Sequence, residues 1–344
     1  MESFNPSGTL SSRNGLFGVP TERESARIVI IPVPWEVTTS YGSGASMGPE
    51  AILKASTQID LFDLECGNAF EHGYHLLPIP QDFKQLNAQL KQKALALQSE
   101  LEDSGALSEA FKKDLQSINR GCSQMTEWVY EQSRAILGAG QIPAVLGGDH
   151  STPEGNIRAI CESYPEVGVL HVDAHADLRS SYQGFEKSHA SIMYNVMAAQ
   201  RPPKKLVQVG IRDFCREEFV LSKEHPDIKT FYDVNLKVEL FEGRSWASLC
   251  NEVVNELPQQ VYISFDIDGL SPEHCPGTGT PVPGGLSFDQ ANYLFRSVAQ
   301  SGRRIVGFDL NEVSPGPTDW DGNVGARLLF KLCGWTVLTQ PPRT

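Results

Sequence analysis

The chain has no apolar run approaching the ~20 residues that a membrane span needs. Its first residues, broken by Pro6, Gly8 and Gly15, hold no apolar stretch of the secretory-leader kind. Cationic side chains are scarce: 29 Lys and Arg stand against 42 Asp and Glu, a formal charge of −13. That balance argues against nucleic acid or an anionic membrane as a partner and suits a cationic substrate. The seven cysteines are odd in number and show no Cys-x-x-Cys spacing, so they read as reduced thiols in a cytoplasmic protein. No internal repeat, low-complexity tract or linker divides the 344 residues. The expectation is a single catalytic domain over residues 26–340 preceded by a flexible N-terminal arm over residues 1–25.

What the chain does have is one motif repeated in kind three times. The buried run Val167-Gly168-Val169-Leu170 leads into His171-Val172-Asp173-Ala174-His175-Ala176-Asp177. Pro143-Ala144-Val145-Leu146 leads into Gly147-Gly148-Asp149-His150-Ser151, where two glycines allow a tight turn, and Val261 to Phe265 leads into Asp266-Ile267-Asp268-Gly269. Each is a short apolar strand ending in ligand-type residues. Parallel strands presenting their carboxyl ends to a common crevice give this pattern.

Packed together, these acids would repel one another and lose solvation, and a divalent cation is the simplest relief. Asp173, Asp177, Asp266 and Asp268 carry four formal negative charges and, with His150 and His175, suit two divalent metal ions. An oxygen-rich set without cysteine fits Mn(II) first, with Ni(II), Co(II) or Fe(II) after it, rather than structural zinc. Two such ions about 3.5 Å apart activate a water near neutral pH, which points to hydrolysis. His171 falls on the same alternation but one step deeper in the strand, so a hydrogen-bonding role behind the ligands is expected. Asp149 reads as a turn residue or a similar outer partner.

Elsewhere, Arg27 to Pro34 reads as the first strand, and Gly48-Pro49-Glu50 opens a helix. Residues 82–137 form two or three helices around Asp103-Ser104-Gly105. From Pro153 onward helices and strands alternate, which means a parallel sheet covered on both faces, an α/β/α sandwich.

The blocks Gly-Gly-Asp-His-Ser, Val-Asp-Ala-His-Ala-Asp and Ser-Phe-Asp-Ile-Asp-Gly-Leu-Ser-Pro, in this order, resemble the ureohydrolases: arginases, agmatinases and guanidinases. The likeness runs from about Val29 to Leu332 and includes Asn311-Glu312-Val313-Ser314-Pro315. It implies a doubly wound, mainly parallel sheet of about eight strands, two metal ions per chain, a small guanidinium substrate and a homo-oligomer, trimer or hexamer. It also implies that Glu312, by itself an ordinary strand-end acid, binds the guanidinium. His189, by itself a surface residue or cap, becomes a proton shuttle through the match of Ser188-His189-Ala190-Ser191 to agmatinase-like members. In the implied mechanism Asp177 orients the attacking hydroxide and His189, near its ordinary pKa of about 6.5, protonates the departing amine.

The substrate tail is less determined. Animal-type arginases have an asparagine two residues past the aspartate matching Asp177, where this chain has Arg179. Asp177-Leu178-Arg179 resembles one branch of agmatinases. Arg179 is nonetheless an odd neighbour for an ammonium, and Glu154 is the acid expected to offset it. Agmatine is placed first, arginine next, then guanidine or a guanidino acid. Regulatory homologues with damaged sites form a different class, marked by lost ligands; all six are present here.

Overall fold

The computed structural model describes residues 4–106 and 108–342. Short apolar runs bounded by polar or glycine-containing turns become eight strands: β1 (Ile28–Pro32), β2 (Tyr74–Leu76), β3 (Ile142–Leu146), β4 (Val167–Val172), β5 (Lys205–Ile211), β6 (Ile228–Tyr232), β7 (Gln260–Asp266) and β8 (Arg304–Asn311). They form one sheet in the order β2-β1-β3-β8-β7-β4-β5-β6, and every neighbouring pair is parallel. Parallel pairing demands crossovers, and these carry α1 (Gly48–Ser56), α2 (Gln81–Ser104), α3 (Glu109–Gly138), α4 (Glu154–Ser163), α5 (Ile192–Met197), α6 (Arg216–Glu224), α7 (Asp233–Phe241), α8 (Trp246–Asn255) and α9 (Phe288–Gln300), while α10 (Trp320–Leu338) follows β8.

Alternate residues of each strand serve opposite layers. Ile28 and Ile30 of β1, with Leu170 of β4 and Ile263 of β7, pack with Ile52 of α1, Leu249 of α8, Phe295 of α9 and Leu329 of α10. Val29 and Ile31 turn the other way, onto Phe83 and Leu97 of α2 and Ile118 and Val129 of α3. Val169 and Leu206 continue that second layer against Ile157 and Ile160 of α4 and Ile192 of α5. The sheet is thus buried on both faces, the three-layer arrangement expected from the alternation of elements.

Local signals place the helix ends. Pro49 sits in the first turn of α1, Ser287 and Gln290 form a capping box at α9, and Gly105 closes α2 in the left-handed region at φ 70°. The expected helix over Ala190 to Ala199 begins as a 3₁₀ turn at His189–Ser191 before α5. Within the stretch expected to be an arm, Leu16 and Phe17 are buried. The Phe17 ring meets Phe330 at 4.9 Å and Tyr74 at 6.0 Å between centroids. Among the described residues no helix is long and apolar enough to cross a membrane.

Candidate metal centre

Four neighbouring strands, β3, β8, β7 and β4, end at one level. Leu146 is in register with Leu310, Asn311 with Asp266, and Phe265 with Val172. The residues that follow therefore enter one crevice although they are distant in sequence, as expected at the carboxyl ends of a doubly wound sheet. His150 Nδ1 lies 2.9 Å from Asp173 Oδ2, 3.4 Å from Asp177 Oδ2 and 3.2 Å from Asp266 Oδ2. Beside it His175 Nδ1 lies 3.1 Å from Asp268 Oδ2 and 3.5 Å from Asp173 Oδ1. Asp173 is common to both groups. The structure thus brings together all six residues that the strand ends suggested as ligands.

Backbone geometry at the crevice is tight. Gly147 and Gly148 are needed for close approach and not for a special turn, which corrects the expected reason for them. A Cβ at Gly148 would stand 1.8 Å from the Trp35 carbonyl oxygen, and one at Gly147 would stand 2.0 Å from Asn311 Oδ1. Asp177 and Glu312 both sit in the left-handed region, at φ 54° and 62°. Strain of this kind persists where the surroundings over-determine it. The Asp177 carbonyl accepts from the amides of Met193 and Tyr194 at 3.0 and 3.1 Å, and the Glu312 amide donates to the Gly148 carbonyl at 2.7 Å.

From protein groups alone the electrostatics are unbalanced. Burial, and then the charge of Asp173, pushes the Asp177 carboxyl well above the usual carboxylate range. Burial followed by Asp268 and Asp173 does the same to Asp266, and burial with Asp266 and Asp149 does so to Glu312. Burial pulls His150 toward its neutral form, yet the hydrogen bonds and charges of Asp173 and Asp266 outweigh it and raise its pKa well above the usual value. Buried acids that retain protons beside imidazoles that retain protons are what a cation-binding donor set looks like when only protons balance it. The oxygen-rich set fits divalent ions.

A model of the arginase family matches residues 26–335. The chain belongs to the arginase family. Its N(1)-aminopropylagmatine ureohydrolase relative from Thermus thermophilus is 33% identical over 317 residues, covering 90% of each chain. A guanidinobutyrase from Pseudomonas aeruginosa is 31% identical, over 91% of this chain and 87% of that one. An agmatine ureohydrolase of Thermoplasma volcanium, a solved structure, superposes with a TM-score of 0.68 at 24% identity, over 92% of this chain and 91% of that one, a likeness of fold. As an arginase-family ureohydrolase, the chain is a hydrolase of C–N bonds in guanidino compounds. The family is one of binuclear metal enzymes, and the buried His and Asp cluster accords with that.

Around this arginase-family centre stand groups that sequence reasoning missed. Ser264 Oγ lies 2.9 Å from His150 Nε2 and donates to Asp309 Oδ1 at 3.0 Å. Gln208 contacts His171 Nδ1 at 3.0 Å, and His171 Nε2 lies 2.8 Å from Asp173 Oδ2. The available signal was a lone polar residue inside a buried apolar run, as in Val207-Gln208-Val209, Ile263-Ser264-Phe265 and Phe308-Asp309-Leu310, since such a residue must find a partner. Asp149 accepts from the Ser151 amide at 3.0 Å and from Thr38 Oγ1 at 3.3 Å, so it is both turn residue and outer partner. Burial pushes its pKa up to about 6. The Gly277 to Pro281 loop orders the centre through Thr278, whose hydroxyl donates to the Glu312 carbonyl at 2.9 Å.

A cavity of about 160 Å³ opens beside the centre, lined by His175, Asp177, Arg179, His189, Asp213 and Glu218 among others. Glu312 is buried, and its Oε1 accepts from the His150 amide at 3.0 Å. The His189 amide donates to Thr38 Oγ1 at 3.2 Å, and its ring Nδ1 lies 3.3 Å from the same oxygen. Burial, then the charges of His175 and Lys91, drives the His189 pKa down to about 3, so the expectation of an ordinary value near 6.5 is corrected. Glu154 pairs with Lys187 and not with Arg179, because α4 turns it toward the 187–195 segment. The acid facing Arg179 is Glu218, at 3.6 Å.

Proposed function

We propose that this chain hydrolyses the guanidinium group of a small cationic substrate, agmatine first, to urea and an amine. Two divalent cations, Mn(II) first and Ni(II) as the alternative, are held by His150, Asp173, His175, Asp177, Asp266 and Asp268. The observation that carries the reading is the convergence of three carboxylates on His150 Nδ1 with the Asp173, His175 and Asp268 group alongside. Bound ions of this kind supply an activated water at neutral pH. Glu312 holds the planar guanidinium through its carboxylate and fixes the carbon for attack. Asp177, held rigid by the α5 amides, orients the incoming oxygen. His189 enters neutral, accepts one proton of the attacking water and passes it to the departing nitrogen, so the C–N bond breaks to an amine and urea.

Charge at the cavity mouth supports an amine tail. Glu218 already faces Arg179, whereas the side chain of Asp213 is 68% exposed and its contact with His175 Nε2 is 3.9 Å long. The surplus charge is therefore an acid, suited to an ammonium. Relatives named for agmatine and aminopropylagmatine share that tail chemistry. Arg179 favours a second reading, a guanidino acid, which the guanidinobutyrase relative also suggests. Urea release from agmatine, N1-aminopropylagmatine, arginine, guanidinobutyrate, guanidinopropionate and guanidine, with Mn(II) and Ni(II) tested separately, decides. Agmatine-type amines should lead, and Asp213→Asn should raise their KM. Preference for guanidinobutyrate abolished by Arg179→Ala would establish the second reading instead.

A further inference from the structure

By distance alone His171 qualifies as a metal ligand. One donor atom from each of His150, His171, Asp173 and Asp177 lies within 4.8 Å of the others. Hydrogen-bond direction gives a different answer. Gln208 is fully buried on β5. Its side-chain nitrogen donates to the Ala176 carbonyl at 2.7 Å, a group that only accepts, and its oxygen accepts from the Thr230 hydroxyl on β6 at 2.9 Å. The Ala176 carbonyl fixes which end of the amide is which, and the Thr230 hydroxyl is then the donor to the other end. The second N–H of Gln208 therefore points at His171 Nδ1, 3.0 Å away. That nitrogen must accept, so the proton of the neutral ring is on Nε2, facing Asp173 Oδ2 at 2.8 Å.

His150 is wired in the opposite sense. Its outer nitrogen, Nε2, meets the Ser264 hydroxyl, whose own hydrogen goes to Asp309. Ser264 thus accepts from Nε2–H, leaving Nδ1 free to offer a lone pair to a cation. One histidine has a proton-accepting neighbour behind it and an open inner face. The other has a proton-donating neighbour behind it and a protonated inner face.

We propose that His171 is a positioning residue and not a ligand: the relay from Thr230 through Gln208 locks it as an Nε2–H donor that holds Asp173 in place. The inference rests on the reading of Asp173 as a carboxylate shared by two metal ions. Asp173 has little other freedom. Its Oδ1 accepts from the His175 amide at 2.6 Å, and its Oδ2 faces His171 Nε2 at 2.8 Å. Removing the His171 hydrogen bond frees one oxygen of the shared carboxylate and loosens both ion sites together. Outer partners of this kind change metal affinity by about 10–100-fold.

The test compares Mn(II) binding by wild type, His171→Leu, His171→Gln and Gln208→Met, with affinity from titration and stoichiometry from elemental analysis at saturating Mn(II). Thermal unfolding of the chelated proteins identifies any variant that has lost its fold. His171→Leu should keep two equivalents at saturation but bind them about 10–100-fold more weakly. His171→Gln, which offers an N–H at the Nε2 position, should recover most of that loss. Gln208→Met, which leaves the ring in place but unlocks its tautomer, should weaken binding without changing stoichiometry. Loss of one equivalent at saturation in His171→Leu would make His171 a ligand and overturn the proposal. Native affinity in folded His171→Leu, or in folded Gln208→Met, would overturn it as well. Wild type failing to take two equivalents would instead strike the binuclear reading on which it rests.

Discussion

Stripping the protein of metal and raising the pH should cost it folding stability, in a direction opposite to that of most acidic proteins. His150 and His175 have folded pKa values raised well above the ordinary histidine value: burial opposes this, and neighbouring carboxylates outweigh it. Asp177, Asp266 and Glu312 are raised by burial and then by a neighbouring carboxylate, that of Asp173, Asp268 and Asp266 respectively. For both kinds of group the folded chain holds a proton that the unfolded chain, with pKa values of about 6.5 or 4, has released by pH 7.5. Stability from a raised pKa is present below the unfolded value and is lost as pH climbs through the folded one. Each proton so retained costs about 1.36 kcal/mol per pH unit. That slope is set against a total stability of about 5–15 kcal/mol. Groups with lowered values, Asp173, His171 and His189, give no offset here, since above pH 7.5 each is in the same state folded and unfolded. Urea denaturation of chelated protein at pH 7.5, 8.0 and 8.5 should show a falling free energy. The same series at saturating Mn(II) should lose or reverse the slope, because metal binding displaces these protons. A flat or rising stability in the chelated protein would refute the account of the cluster.

Activity should disappear on chelation and return with Mn(II) at two equivalents per chain; one tightly held zinc would contradict the oxygen-rich assignment. His150→Ala and Asp268→Ala should each abolish turnover, and a near-native rate with both metals bound would remove the residue from the ligand set. Glu312→Gln should raise KM and lower kcat together, because charge and orientation are both lost. His189→Asn should leave substrate binding and metal content native while kcat falls by about 10²–10⁴, so an unchanged kcat would return His189 to an ordinary loop residue. Gly148→Ala should destabilise the fold by about 1–3 kcal/mol or more, since its Cβ would meet the Trp35 backbone; urea denaturation reads this directly.

The convergence of the three strand-end blocks was legible because each is local: a buried strand followed at once by acids and imidazoles. Glu312 and His189 enter the candidate site only through resemblance, since a lone acid after β8 and a lone histidine before α5 carry no pattern of their own. The outer relays escaped notice for another reason. Gln208, Ser264 and Asp309 are single polar residues, and what they touch depends on β5 lying beside β4 and β8 beside β7. Strand order is not written in periodicity. Three elements were also missed. β2 has three residues, α7 follows β6 without a break, and α10 is apolar on nearly every side, which erases the helical period. Glu154 misled because nearness in sequence to His150 says nothing of where α4 points it.

The position of β8 has a consequence for how this chain is made. The strand that emerges last from synthesis is inserted between β3 and β7, in the middle of the sheet. Until it arrives, the growing polypeptide carries two unpaired inner edges, from Ile142 to Leu146 and from Gln260 to Asp266, each apolar and each ready to pair with whatever it meets. His150 and Asp266 are then attached to separate halves with no shared wall, and Glu312 is absent altogether. Closure of the sheet by its final strand is therefore the step that carries His150 to the acids and the imidazole that follow β4 and β7.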